Sequence, residues 1–132
     1  MKKVVFLDRD GTINVEKKYV YKIEDFEYID GSLEALTILQ NQGYNLIIIT
    51  NQSGIARNFY TERNYHDLTK WMLKDMQEKG INILDTYYCP HLKQSIDSRY
   101  AIDCNCRKPR TGLFMRAINE HYIDLKNSYA IG

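Results

Sequence analysis

The chain has 132 residues, 44% of them apolar and 27% charged, a composition for one globular domain with its own core rather than a disordered segment. Its 18 Lys and Arg against 17 Asp and Glu give a net charge of +1, which argues against a nucleic-acid groove or a polybasic membrane anchor. No segment approaches the roughly 18 continuous apolar residues of a membrane span, MKKVVFLDRD meets charge too early for a secretory signal, and three cysteines do not make a disulfide framework, so a cytoplasmic protein is expected.

Val4 to Leu7 is an apolar run with two β-branched residues, the pattern of a strand buried on both faces. Asp30-Gly31-Ser32 offers a helix start, with Leu33, Leu36, Ile38 and Leu39 as the inward face and Gly43 as the stop. Leu46 to Ile49 is a second buried strand. Thr61 can cap a longer helix whose stripe is Tyr65, Leu68, Met72 and Met76, closing at Gly80. Ile81 to Tyr88 reads as a third strand, Gly112 to about His121 as a helix with Leu113 and Ala117 inward, and Ser128 to Ile131 as a fourth strand. Strands alternating with helices at this spacing imply right-handed parallel βαβ units, whose ligands bind beyond the carboxyl ends of the strands. Asp8, Thr50 and Cys89 fall there.

The first strand runs straight into Asp8-Arg9-Asp10-Gly11-Thr12. In an extended segment residues i and i+2 point the same way, so Asp8 and Asp10 are expected to face one site with Arg9 turned aside. Two hard carboxylates beside the free amides of a glycine turn suit Mg²⁺ holding a phosphate. Thr50-Asn51-Gln52 adds a hydroxyl and amides, and Lys108 supplies a cation for developing charge.

Cys89-Pro90-His91 and Cys104-Asn105-Cys106 gather every cysteine of the chain in a loop spanning 89–106. C-x-H and C-x-C each set two ligands on one side, so Cys89, His91, Cys104 and Cys106 make a tetrahedral Zn²⁺ site with no open position, hence a structural one. The polar loop between them has no core of its own, and Zn²⁺ would order it and position Lys108. His66 and His121 have no evident partner and read as structural or solvated.

V-V-F-L-D-R-D-G-T-I resembles the first motif of the haloacid dehalogenase superfamily, hhhhDxDGTh. Ile47-Ile48-Ile49-Thr50-Asn51 resembles its second, and Lys108 suits its third. The resemblance implies an α/β fold, a Rossmann-like parallel sheet flanked by helices, in a single domain over residues 1–132. It also implies a phosphatase chemistry in which Asp8 attacks phosphorus and carries the phosphoryl group, while Asp10 protonates the leaving alcohol and then activates water. Mg²⁺ would bind the Asp8 carboxylate and the Asp10 carbonyl, and Thr50 and Lys108 would hold phosphoryl oxygens.

D-R-D-G-T-I-N with C-P-H and C-x-C-R-K-P is similar to a zinc-bearing branch that contains the D-glycero-D-manno-heptose-1,7-bisphosphate phosphatases and the histidinol-phosphate phosphatases. Tyr19–Gly31 and T-N-Q-S-G-I-A-R are closer to the heptose enzymes; histidinol-phosphate phosphatases usually have Asp where this chain has Ser53. The resemblance implies release of the 7-phosphate of a heptose bisphosphate in precursor synthesis for cell-envelope polysaccharide, including lipopolysaccharide. The partner is a small phosphorylated sugar, with neither nucleic acid nor membrane, and a monomer is expected. Glu16, Lys17, Lys18, Tyr19, Thr50, Asn51, Gln52, Ser53, Arg107 and Lys108 would line the substrate site, with Arg107 on the second phosphate. Histidinol phosphate as substrate and a zinc-organised phosphate-binding module without turnover are the alternatives. The superfamily's fourth motif places acidic residues just after the strand that ends here at Gly132, so a C-terminally truncated phosphatase fold is expected.

Overall fold

Four short apolar runs form one parallel sheet, and its two faces are covered by different helices. A computed structural model describes residues 1–132. The elements are β1 (Val4–Leu7), α1 (Ser32–Asn41), β2 (Asn45–Asn51), α2 (Glu62–Glu78), β3 (Ile83–Cys89), α3 (Gly112–His121) and β4 (Tyr129–Ile131), with single 3₁₀ turns at Ile23–Asp25 and Leu125–Asn127 that the sequence pattern does not signal. The strand order is β3-β2-β1-β4, every neighbour parallel.

Strand alternation divides the core. Val5, Leu7, Leu46 and Ile48 face Leu36 of α1 and Met72 and Met76 of α2. Val4, Phe6, Ile47 and Ile49 face Leu113 and Ala117 of α3. Every residue of β1 is buried, as expected of a strand covered on both sides. Ile38 differs from the expected stripe: it is 57% exposed, because Leu36 and its neighbours alone reach the sheet.

Local chemistry sets the helix ends. At α2, Thr61 Oγ1 accepts from the Asn64 amide at 3.1 Å while Asn64 Oδ1 accepts from the Thr61 amide at 2.9 Å, a reciprocal capping box. At α1, within the expected Asp30-Gly31-Ser32 start, the cap is Gly31, in the left-handed region at φ 84°, where a β-carbon is disfavoured. No helix is long and apolar enough to cross a membrane.

The chain moves outward from β1 through α1 to β2 and through α2 to β3, then returns past α3 to β4 on the other side of β1. The strand order therefore reverses at β1, and the crevice beyond its carboxyl end is a topological switch point. Asp8 sits there, its amide donating to the Ile131 carbonyl of β4 at 3.0 Å.

Candidate active site

β1 does not continue as extended chain past Leu7. The Arg9 carbonyl accepts from the amides of Thr12, Ile13 and Asn14 at 3.1, 2.8 and 3.3 Å, and Gly11 turns at φ 83°. Strand alternation therefore does not govern Asp8 and Asp10. Asp10 lines a cleft of about 570 Å³ with Glu16, Lys18, Tyr19, Gln52 and Tyr60. Asp8 lines a smaller cavity of about 140 Å³ with Leu7, Lys108 and Ile131.

Arg9 is not turned aside. It is 2% exposed, and its Nε and Nη2 donate to Asp10 Oδ1 at 3.2 and 2.9 Å while Nη2 also donates to the Val20 carbonyl at 2.8 Å. A buried guanidinium requires such partners, and one of the two carboxylates of the motif meets that need from inside the fold. Asn14 Nδ2 adds a third donor to Asp10 Oδ1 at 3.0 Å, and Gln52 Nε2 donates to Oδ2 at 3.1 Å.

Asp8 is met differently. Its Oδ1 accepts from the Arg9 amide at 2.8 Å and lies 3.0 Å from Lys108 Nζ, which also donates to the Ile49 carbonyl at 2.8 Å. Asp8 Oδ2 and the Asp10 carbonyl meet no protein donor. Two hard oxygens left free on one anionic turn fit a hard divalent cation such as Mg²⁺.

The other residues expected in the site divide into groups. Glu16, Lys18, Tyr19, Asn51, Gln52 and Ser53 line the Asp10 cleft. Lys18 and Tyr19 sit there in the left-handed region, φ 55° and 57°, and the Glu16 carboxylate accepts from the Lys18 amide at 2.8 Å. Thr50 is 1% exposed, its Oγ1 accepting from Gln52 Nε2 at 2.9 Å. Lys17 pairs instead with Glu27 at 3.4 Å on the surface. Arg107 donates to the His91 carbonyl at 3.4 Å and lines a third cavity, about 250 Å³, with Lys93 and Lys108. Tyr60 and Gly54, both on the cleft wall, were not legible as site residues. Gly54 is dictated by packing: a β-carbon there would lie 2.2 Å from Tyr60 Cε1 and 2.8 Å from Tyr19 Cδ1.

At the end of β3 the four expected ligands converge. Cys89 Sγ lies 3.5 Å from Cys104 Sγ and 3.0 Å from Cys106 Sγ, and His91 Nδ1 lies 3.7 and 3.3 Å from Cys89 and Cys106. A tetrahedron with metal–sulfur bonds of about 2.3 Å has edges of about 3.8 Å, so the set is close to closed coordination by a soft or borderline cation. Burial opposes every thiolate, but hydrogen bonds from Cys106, Cys89 and His91 pull Cys104 down to about 6, whereas burial and its two neighbours push Cys106 well up. A bound cation would offset the mutual repulsion of thiolates held this close together. The turn packs on the start of α3, where the Gly112 amide donates to the Asn105 carbonyl at 2.9 Å.

The two histidines do have partners. Tyr88 OH donates to Glu62 Oε1 at 2.5 Å and lies 3.2 Å from His66 Nε2, while Tyr100 OH reaches the other Glu62 oxygen at 2.8 Å. Glu62 thus ties the cysteine loop to α2 and β3. His121 Nε2 pairs with Asp85 at 2.7 Å.

The chain is similar to known proteins over nearly its whole length. The polynucleotide kinase 3 phosphatase family model matches residues 3–132. The chain is 46% identical over 132 residues to the D-glycero-beta-D-manno-heptose-1,7-bisphosphate 7-phosphatase of Pasteurella multocida, covering 100% of this chain and 71% of that protein. It is 48% identical over 130 residues to the D-glycero-alpha-D-manno-heptose-1,7-bisphosphate 7-phosphatase of Photorhabdus laumondii, covering 98% and 71%. A Mesorhizobium loti protein with a HAD-like phosphatase fold superposes with a TM-score of 0.92 at 29% identity, covering 99% of this chain and 63% of that one. The D,D-heptose 1,7-bisphosphate phosphatase of B. bronchiseptica, solved with magnesium and phosphate, gives 0.85 at 27% identity, covering 98% and 69%. The chain therefore spans between 63% and 71% of the length of these relatives. It belongs to the polynucleotide kinase 3 phosphatase family, within the haloacid dehalogenase-like fold.

Proposed function

We propose that the chain is a magnesium-dependent phosphatase that removes the 7-phosphate of D-glycero-D-manno-heptose 1,7-bisphosphate, acting as a cytoplasmic monomer in the supply of activated heptose for lipopolysaccharide. The observation that carries the chemistry is the pairing of the Asp8 carboxylate with Lys108 at 3.0 Å at the sheet's switch point, beside the cleft that Asp10 lines. The naming of relatives at 43–48% identity supports the substrate.

Asp8 attacks phosphorus, forming an acyl phosphate as the bond from phosphorus to the sugar oxygen breaks. Asp10 gives that oxygen a proton, so the heptose leaves as an alcohol. Asp10 then takes a proton from water, whose oxygen attacks the same phosphorus, releasing inorganic phosphate and restoring Asp8. Lys108 offsets charge on the phosphoryl oxygens. Asp8 Oδ2 and the Asp10 carbonyl would hold Mg²⁺, which neutralises repulsion between carboxylate and phosphate. Cys89, His91, Cys104 and Cys106 would hold Zn²⁺, a structural ion that keeps the loop leading into Lys108 in place. Glu16, Lys18, Tyr19 and Ser53 contact the sugar, and Arg107 takes the second phosphate.

The test is phosphate release with Mg²⁺ from heptose 1,7-bisphosphate and from histidinol phosphate. We expect kcat/KM at least about a hundredfold higher for the bisphosphate, as one extra bidentate phosphate contact allows. Equal or better turnover of histidinol phosphate contradicts the substrate assignment. Binding of both without release contradicts the enzyme.

A further inference from the structure

Five polar or charged residues of the chain are buried, and four of them, Arg9, Asn14, Thr50 and Gln52, join one network around the Asp10 carboxylate. The two Asp10 oxygens are not equivalent in it. Oδ1 takes three donors, two from Arg9 and one from Asn14, and has no room for a proton. Oδ2 takes only Gln52 Nε2, so Oδ2 is the atom free to carry one.

The Gln52 amide must therefore face Asp10 with its NH₂ end. A carboxylate only accepts, and a flipped amide would set two acceptors against each other. What fixes the flip is at the other end, where Gln52 Oε1 accepts from the Tyr60 hydroxyl. Tyr60 is itself held: it is buried, its ring stacks on Tyr21 at 5.1 Å and 12°, and Gly54 leaves the space its edge occupies. Burial raises its ionisation far above neutral pH, so the phenol remains a donor.

We propose that Tyr60 is a positioning residue for phosphoryl transfer: by donating to Gln52 Oε1 it locks the Gln52 amide, which aims Asp10 Oδ2 at the leaving oxygen. This rests on the phosphatase reading, in which Asp10 is the proton donor.

The leaving group is the discriminating readout. A sugar alkoxide needs the proton from Asp10, whereas p-nitrophenolate departs without one. The experiment compares kcat/KM of the wild-type chain and Tyr60→Phe on heptose 1,7-bisphosphate and on p-nitrophenyl phosphate. For the sugar we expect a loss of about tenfold or more, carried by kcat with KM within about twofold, and for the aryl ester a change within about twofold. Tyr21→Phe, which also removes a phenol hydroxyl from the same stack, should keep the wild-type ratio. If Tyr60→Phe does not melt cooperatively, the near-isosteric Gln52→Met cuts the same bridge and should give the same selective loss. Equal loss on both substrates, or no loss on the sugar, overturns the role of Tyr60. A wild-type chain inactive on both substrates contradicts the phosphatase reading itself and the inference with it.

Discussion

The carboxamide of Asn51 grips the main chain of Lys108 at both ends: Oδ1 accepts from the Lys108 amide at 3.0 Å, and Nδ2 donates to the Lys108 carbonyl at 3.3 Å. The last residue of β2 thereby fixes a residue 57 positions later, and the Lys108 side chain then spans to Asp8. Asn51 was expected against substrate. Its side chain lines the cleft yet spends both polar atoms on the lysine.

Asn51→Ala should therefore act mainly through Lys108. Losing two hydrogen bonds at about 0.5–1.5 kcal/mol each predicts a destabilisation of about 1–3 kcal/mol in urea unfolding. Turnover should fall by about tenfold or more. Asn51→Asp keeps the acceptor for the Lys108 amide but sets a carboxylate oxygen against the Lys108 carbonyl, so it should rescue neither loss. Wild-type stability and turnover in Asn51→Ala would show that the grip does not matter.

Metal removal tests the cysteine loop. One zinc per chain is expected by elemental analysis. A chelator that strips it should expose the loop between His91 and Cys104 to trypsin at Lys93 and Arg99 and lower turnover, because Lys108 follows directly. Full activity in verified zinc-free protein would contradict a positioning role.

A pH dependence follows from Glu62. Its carboxyl is held below its ordinary 4.5, chiefly by the Tyr88 hydroxyl, against an opposing effect of burial, and further by Tyr100. A depressed carboxyl pKa gives stability that is present above about 4.5 and is lost as pH falls through the lower folded value. Glu62→Gln should lower the melting temperature at pH 7, by an amount that shrinks as the pH falls below about 4.5. A melting difference that stays constant as the pH falls would point to packing instead.

The contrast between β1 and the turn after it shows what was legible. Val4 to Leu7 announces itself because burial on both faces demands an unbroken apolar run. The stripe Tyr65, Leu68, Met72 and Met76 does so because α2 buries one face at helical spacing. The four metal-type ligands were legible because their spacing is local. Arg9 was not: its burial depends on the Val20 carbonyl and on Asp10 in a coiled turn, and nothing in D-R-D distinguishes that from an exposed arginine. Tyr60 is one of 11 tyrosines, and only the fold places its hydroxyl on Gln52. Ile38 failed for a simpler reason, since a helix covering a short sheet buries less of itself than its apolar residues allow.

The most direct test of the account is to quench the chain during turnover of heptose 1,7-bisphosphate with Mg²⁺ and map the phosphorylated residue by mass spectrometry. The phosphoryl group should sit on Asp8, and Asp8→Asn should neither trap it nor release phosphate. A phosphoryl group on another residue, or turnover that persists in Asp8→Asn, would contradict the assignment of Asp8 as nucleophile.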